Sequence, residues 1–139
     1  MGRVLVTAKI ENLGDLFSVE KQLITPDQVR RVEVTDALVD TGASTLGLPK
    51  AIIERLGLLF MRVKRARTAA GQAEVRMFGT VRLTVQDREA VLDVTELPDD
   101  CPVLIGQIPL EMMDFVVDPA NHRLIGDPRH GGEQIIELY

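Results

Sequence analysis

The chain has 139 residues, 45% of them hydrophobic and 27% charged, with a formal net charge of −5. Such a chain suits a single domain, residues 1–139, that can bury an aliphatic core without help from a disulfide or a metal, and its negative balance argues against nucleic acid as the main partner. Cys101 is the lone cysteine, which fits a reducing compartment. Met1-Gly2-Arg3-Val4 opens no leader-like apolar run, and no stretch approaches the roughly 20 apolar residues of a membrane span, so a cytoplasmic protein with no membrane partner is expected.

Arg3 to Ile10 alternates, with Val4, Val6, Ala8 and Ile10 on one face, and reads as a strand. Glu11 to Asp15 is a turn cluster, and Phe17 to Leu23 reads as a returning second strand. Thr25-Pro26-Asp27 has the form of a helix start and predicts one short turn. Arg31 to Val39 is a Val-rich strand. Leu48 to Leu58 predicts a short helix, with Pro49 near its start, Gly57 past its end and Ile52, Ile53 and Leu56 on one face.

Met61 to Thr68 and Glu74 to Val85 are extended runs joined by Ala69-Ala70-Gly71-Gln72, a long hairpin with Gly79 marking a bend. The basic cluster Arg62, Lys64, Arg65 and Arg67 lies on its first arm and reads as a solvated strand face. Ala90 to Val94 is a strand and Glu96 to Pro102 an acidic loop. Val103-Leu104-Ile105-Gly106 is a short buried strand, and Pro109 to Met113 a short helix. Phe115 to Asp118 and His122 to Ile125 form a second hairpin. Gly126 to Glu133 reads as polar and loose. Ile135 to Tyr139 reads as a last strand, set against a neighbour.

One element carries chemistry. Asp40-Thr41-Gly42-Ala43-Ser44 follows the apolar run Ala37-Leu38-Val39 and occurs once. Asp, Gly and Ser are common in ordinary turns, yet a carboxylate where a strand breaks into a Gly-containing turn is held firmly while staying open to a cleft. Hydrolysing an amide needs one group to take a proton from water and another to give one to the substrate. Two carboxyls sharing a proton do both. At about 3 Å and an effective dielectric of about 20 their mutual repulsion when both ionised is on the order of 5 kcal/mol, enough to keep one protonated. No second acid has the context of Asp40. Asp118 ends an apolar run but precedes Pro119, and reads as a turn residue. A carboxylate pair therefore needs a second chain, with Asp40 of each copy at a twofold axis.

His122 and His130 are the only histidines, and no Cys or His pair has zinc-ligand spacing, so neither metal nor cofactor is expected. Cys101 follows Asp99-Asp100, and adjacent negative charge opposes thiolate formation. The two runs that end in a glycine turn, Leu38 to Gly42 and Val103 to Gly106, are placed to cross near the centre of a small barrel.

In this order, Ala37-Leu38-Val39-Asp40-Thr41-Gly42-Ala43-Ser44, Leu48-Pro49, Leu56-Gly57-Leu58, the Gly71 hairpin and Val103-Leu104-Ile105-Gly106-Gln107 with Pro109-Leu110-Glu111 resemble the retropepsin-like aspartic proteases, most closely their small bacterial single-domain branch. The resemblance spans roughly Val32 to Ile125. It implies an all-β, closed-barrel-like acid protease fold with one or two short helices and a flap hairpin, acting as a homodimeric aspartic endopeptidase on peptide or protein substrates. Asp40 would be the catalytic carboxylate, and Thr41 would bond across the dimer axis. Gly42 would let the backbone approach carboxylate and substrate, and Ala43 would pack behind the site. Ser44, Ala70, Gly71 and Gln72 would meet substrate, the last three as the flap tip, while Ile105 and Gly106 would support the loop from behind. Retroviral enzymes carry a paired Asp and Arg where Ser44 and Gln107 stand here, and both are missing together. The alternative function is a peptide-binding or structural dimer of the same fold, without turnover; a thiol enzyme built on Cys101 is a third reading.

Overall fold

The structure is a computed structural model that describes residues 3–138, with Met1, Gly2 and Tyr139 outside the described residues. The main sheet begins with β1 (Val4–Asn12) antiparallel to β2 (Arg31–Val39), from Val4 opposite Val39 to Glu11 opposite Arg31, with a slip between Val6 and Ala8. The end of β2 lies parallel to β7 (Leu104–Ile105), which runs antiparallel to β3 (Leu46–Pro49). β3 is parallel to β6 (Arg88–Leu97), and β6 is antiparallel to β5 (Gly71–Val85). The far end of β5 pairs back onto β1, Lys9 opposite Thr84 and Asn12 opposite Val81. β4 (Leu59–Thr68) stands outside this circuit, paired with β5 alone. β8 (Phe115–Asp118) and β9 (Arg123–Gly126) form a separate two-stranded sheet.

The core is aliphatic, as the scarcity of aromatics requires. Val4, Val6, Ala8 and Ile10 of β1 all point inward, the period-two pattern of a half-buried strand. They meet Leu46, Leu48, Leu56, Val81, Leu83, Val94 and Ile105, which are fully or almost fully buried. Each such side chain contributes about 1.5–3 kcal/mol by leaving water. Glu11 lies buried beneath Arg82, Arg31 and Lys9. Burial alone would push its carboxyl up, but the hydrogen bond and charge of Arg82, with Lys9 and Arg31, outweigh that and hold it below the ordinary glutamate value.

Several expected elements keep their place. The Pro26–Gln28 turn is a 3-10 helix closed by a Thr25 and Gln28 capping box. The helix after Pro49 is α2 (Lys50–Leu56), with Gly57 as a left-handed C-cap. The β5 register slips between Phe78 and Val81, around the bend assigned to Gly79. The helix expected at Pro109 is α3 (Gln107–Met112). Glu96 and Leu97, expected in the acidic loop, extend β6 instead, and His122, expected to open the return strand of the second hairpin, lies in the turn before β9 with φ of 50°.

Three expectations are corrected. Glu11 and Asn12 are not turn residues but the end of β1, and Phe17 to Leu23 is not a strand. Leu13–Glu20 is a helix, α1. The Asn12 side chain causes this: its oxygen accepts the Asp15 N–H at 3.0 Å as an N-cap, while its amide donates to the Leu56 carbonyl at 2.8 Å. Asp15 in the first turn suits the helix dipole and accepts two hydrogen bonds from the Arg30 side chain.

Second, Gly126 to Glu133 is not loose. Asp127 is buried and caps a 3-10 turn, Pro128–His130, with the Arg129 side chain folded onto its carboxylate. Hydrogen bonds from Arg129 hold the Asp127 carboxyl down to about 2. Arg88 reaches the carbonyls of Met113, Asp114 and Gly132 and ties this segment to the body.

Third, the tail forms no strand within the chain up to Leu138; Tyr139, the end of that expected strand, lies outside the described residues. The tail is instead pinned by His130, whose ring nitrogens lie 2.7 Å from Asp114 Oδ2 and 2.8 Å from Glu137 Oε1. Asp114 Oδ2 also accepts the Ile135 N–H at 3.1 Å. This latch titrates. Asp114, then Glu137, raise His130 above its ordinary 6.5, so its contribution is complete below about 6.5 and is lost as pH rises through the raised value. Asp114 is lowered from 3.8, chiefly by its hydrogen bond to His130, so its contribution holds above about 3.8 and is lost as pH falls through the lowered value. The Ile135 amide resonance should therefore titrate with a midpoint above 6.5 and cease to do so in His130→Ala. A midpoint at or below 6.5 would contradict the latch.

Candidate active site

Asp40 stands one residue past β2, where the chain leaves the sheet. The two apolar runs expected to cross near the centre lie side by side as β2 and β7, Leu38 opposite Leu104 and Val39 opposite Ile105. The Asp40 N–H donates to the Ile105 carbonyl at 2.9 Å, so the strand pairing extends to the carboxylate-bearing residue itself. Beyond it the chain turns. The Ala43 N–H donates to the Asp40 carbonyl at 3.1 Å, and the Gly42 N–H donates to Asp40 Oδ1 at 3.0 Å. One carboxylate oxygen is thus fixed by the backbone of its own loop, an Asx-type arrangement. Oδ2 forms no hydrogen bond among the described residues.

The loop is braced from behind by Gly106. Its N–H donates to the Thr45 carbonyl at 2.9 Å, the Gln107 N–H to the Ala43 carbonyl at 2.8 Å and the Ile108 N–H to the Ser44 carbonyl at 3.0 Å. A β-carbon on Gly106 would sit 2.5 Å from the Thr45 carbonyl oxygen and 2.7 Å from that of Ala43, so only glycine permits this approach. Ile105 is fully buried. Ile105 and Gly106 each share a main-chain bond with this segment, through the Asp40 N–H and the Thr45 carbonyl. The Ser44 side chain is exposed and the Gln107 amide turns instead to Glu111 at 3.0 Å. With the Asp and Arg pair of retroviral enzymes missing, main-chain bonds join these two segments.

A recess of about 470 Å³ opens beside the carboxylate, lined by Leu38, Val39, Asp40, Thr41, Val117 and His122 among others. Thr41 is exposed, and its hydroxyl has no hydrogen-bond partner among the described residues. His122, in the turn before β9, also reaches this recess.

The hairpin tip is tighter than expected. Thr68 pairs with Gly71, leaving Ala69 and Ala70 as a two-residue turn. Gly71 has φ of 110°, open to glycine alone at little cost. The Thr68 hydroxyl accepts the Ala70 N–H at 3.2 Å and donates to the Gly71 carbonyl at 2.8 Å. Ala70, Gly71 and Gln72 do not line the recess beside Asp40. The hairpin instead connects to the Asp40 loop at its base, through Met77, Thr95 and Thr45. Thr95 Oγ1 lies 3.3 Å from Met77 Sδ and 2.9 Å from Thr45 Oγ1. Two threonines 50 positions apart give no local signal of this link.

Away from Asp40, Asp114, Asp127 and His130 bring ligand-type atoms within 4.8 Å of one another. They are engaged with each other, Arg129 and the tail, and serve the latch. Cys101 is half-buried, its Sγ 3.9 Å from Asp100 Oδ1. No helix among the described residues is long and apolar enough to cross a membrane.

The arrangement combines an apolar strand delivering one carboxylate, a glycine turn holding it, and a second glycine strand-end packed behind. A family model described as gag-polyprotein putative aspartyl protease matches residues 28–111. The chain belongs to that family, a retropepsin-like aspartyl protease domain. Comparison with curated proteins finds no match.

Proposed function

We propose that the chain is an aspartic endopeptidase whose active centre forms when two copies bring their Asp40 residues together across a twofold axis. The observation that carries this is the Asp40 loop: a single carboxylate, fixed through one oxygen by the Gly42 N–H and braced by Gly106, in a chain with no second copy of the motif. Such a chain holds half of a two-carboxylate centre. The unpartnered, exposed Thr41 hydroxyl is suited to bond across the axis, and the recess beside Asp40 and Thr41 to receive the second copy. We take residues 1–139 as one such domain, and the circuit of pairings from β1 back to β1 as its closed barrel.

In the dimer the ionised carboxyl takes a proton from water as it attacks the peptide carbonyl carbon. The protonated carboxyl donates to the carbonyl oxygen, and a proton then passes to the leaving nitrogen as the C–N bond breaks. This sharing of one proton is the established behaviour of aspartic proteases. Ser44 and the flap tip, Ala70 to Gln72, meet an extended peptide, with Ala43 packed behind the loop. The unpaired cysteine fits a cytoplasmic setting.

The test is hydrolysis of a mixed peptide library from about pH 4 to about pH 7. Internal cleavage by the wild type, retained in Cys101→Ser, supports the reading. No cleavage anywhere in that range would leave a peptide-binding dimer in its place. Sedimentation at micromolar concentration should show a species of twice the 15.4 kDa chain mass. Full activity from a strict monomer would contradict the proposal.

A further inference from the structure

The hairpin of β4 and β5 is charged unlike the rest of the molecule. Residues 59–79 carry Arg62, Lys64, Arg65, Arg67 and Arg76 against the single acid Glu74, in a chain whose net charge is −5. Elsewhere several cations are paired, Arg30 on Asp15, Arg31 and Arg82 on Glu11, Arg123 on Asp118 and Arg129 on Asp127, while Lys21, Lys50 and Arg55 stand apart from one another in sequence. In the hairpin Arg62 pairs with Asp93 and Arg76 with Glu96. Lys64, Arg65 and Arg67 are exposed and form no ion pair among the described residues, although Glu74 stands opposite Arg65 in register.

We propose that this hairpin selects acidic, extended peptides, which pair with the free edge of β4 and place their carboxylates against Lys64, Arg65 and Arg67. The proposal rests on the endopeptidase reading of the Asp40 site for its role, and names the substrate class of that site. β4 offers ten residues with no strand paired on its outer side among the described residues. An open edge binds an extended chain through main-chain hydrogen bonds, while side chains set the preference. Edge cations also guard against self-pairing, and the charges that repel a second basic strand attract an acidic one.

The register divides the work between two faces. Lys64 lies opposite Val75, and Arg62 opposite Met77, the residue tied through Thr95 to Thr45 in the Asp40 loop. That face includes the half-buried Ala66 and Val75. Lys64 therefore meets the peptide carboxylates that point to this face. Arg65 and Arg67, opposite Glu74 and Gln72, lie on the other face and meet the alternate side chains of the peptide. Nucleic acid fits this surface less well. Residues 61–77 contain no aromatic to stack a base, and Phe60 is packed against Phe78 beneath Arg76.

The test uses full-length Asp40→Asn, which binds without turnover. Fluorescence anisotropy would compare a labelled peptide of about 12 residues alternating Val and Glu, its Val and Gln counterpart, and a single-stranded oligonucleotide of equal charge. The acidic peptide should bind about tenfold tighter than the neutral one, since exposed charge pairs add modestly and three act together. The advantage should shrink as salt rises from about 0.05 M to about 0.5 M. It should vanish in Lys64→Gln/Arg65→Gln/Arg67→Gln and reverse in Lys64→Glu/Arg65→Glu/Arg67→Glu, all at exposed positions. Equal binding of the two peptides, an unchanged preference in the variants, or stronger binding of the oligonucleotide would each overturn the proposal. Wild-type cleavage of matched substrates separates the two readings. Acidic binding without cleavage removes the endopeptidase and keeps the docking surface; cleavage without acidic preference does the reverse.

Discussion

Asp40→Asn should abolish peptide hydrolysis, lowering kcat/KM by about 10⁴-fold, while leaving the protein folded and dimeric. The substitution is nearly isosteric. The amide oxygen can still accept the Gly42 N–H, which spans 3.0 Å in the native loop, so the turn keeps its shape. What is lost is the proton chemistry. An amide neither takes a proton from water nor holds the shared proton that lets the partner carboxyl donate. In the proposed homodimer both copies lose their acid together, so no residual pair survives. Thermal unfolding and sedimentation should match the wild type, which separates loss of chemistry from loss of structure. A variant that keeps more than a few per cent of wild-type turnover would mean that the reaction runs elsewhere.

Gly106→Ala should be a severely damaging small substitution, costing about 3 kcal/mol of stability, the upper part of the overpacking range. The added methyl would lie 2.5 Å from the Thr45 carbonyl oxygen, 2.7 Å from that of Ala43 and 2.7 Å from the Ser44 carbonyl carbon. All three are backbone atoms, so no side chain can swing aside. Relief requires moving Ala43 to Thr45 away from β7, which breaks the hydrogen bonds from Gly106, Gln107 and Ile108 and displaces the turn that holds Asp40. Urea denaturation should show the loss, and activity should fall even below the unfolding temperature. Gly131→Ala is the contrast: nothing lies within 4 Å of its added carbon, and its only strain is the left-handed φ of 66°. Equal effects of the two substitutions would refute the bracing role of Gly106.

The strands of this fold were readable because each has a periodic apolar face. Arg31 to Val39 has the same limits in sequence and structure, and Val4 to Ile10 shows its buried face residue by residue. The Asp40 loop was readable for another reason, since its turn chemistry is local: Gly42 bonds to a carboxylate two residues away. Segments fixed by distant partners were not. The helix after Asn12 depends on a side chain that also bonds to Leu56, 44 residues on. The ordered end of the chain depends on Arg88, and on Asp114 meeting His130. The Met77, Thr95 and Thr45 link depends on β5 and β6 pairing first. None of these contacts leaves a spacing that a local reading can detect.

The central claim is that each chain supplies half of one active centre. The direct measurement mixes wild type with Asp40→Asn at constant total concentration, allows subunits to exchange, and follows peptide hydrolysis against composition. Random pairing makes mixed dimers inactive, so activity should fall as the square of the wild-type fraction, to about one quarter at an equal mixture. A linear decline, with about one half remaining at that point, would show that each chain works alone and would contradict the shared centre.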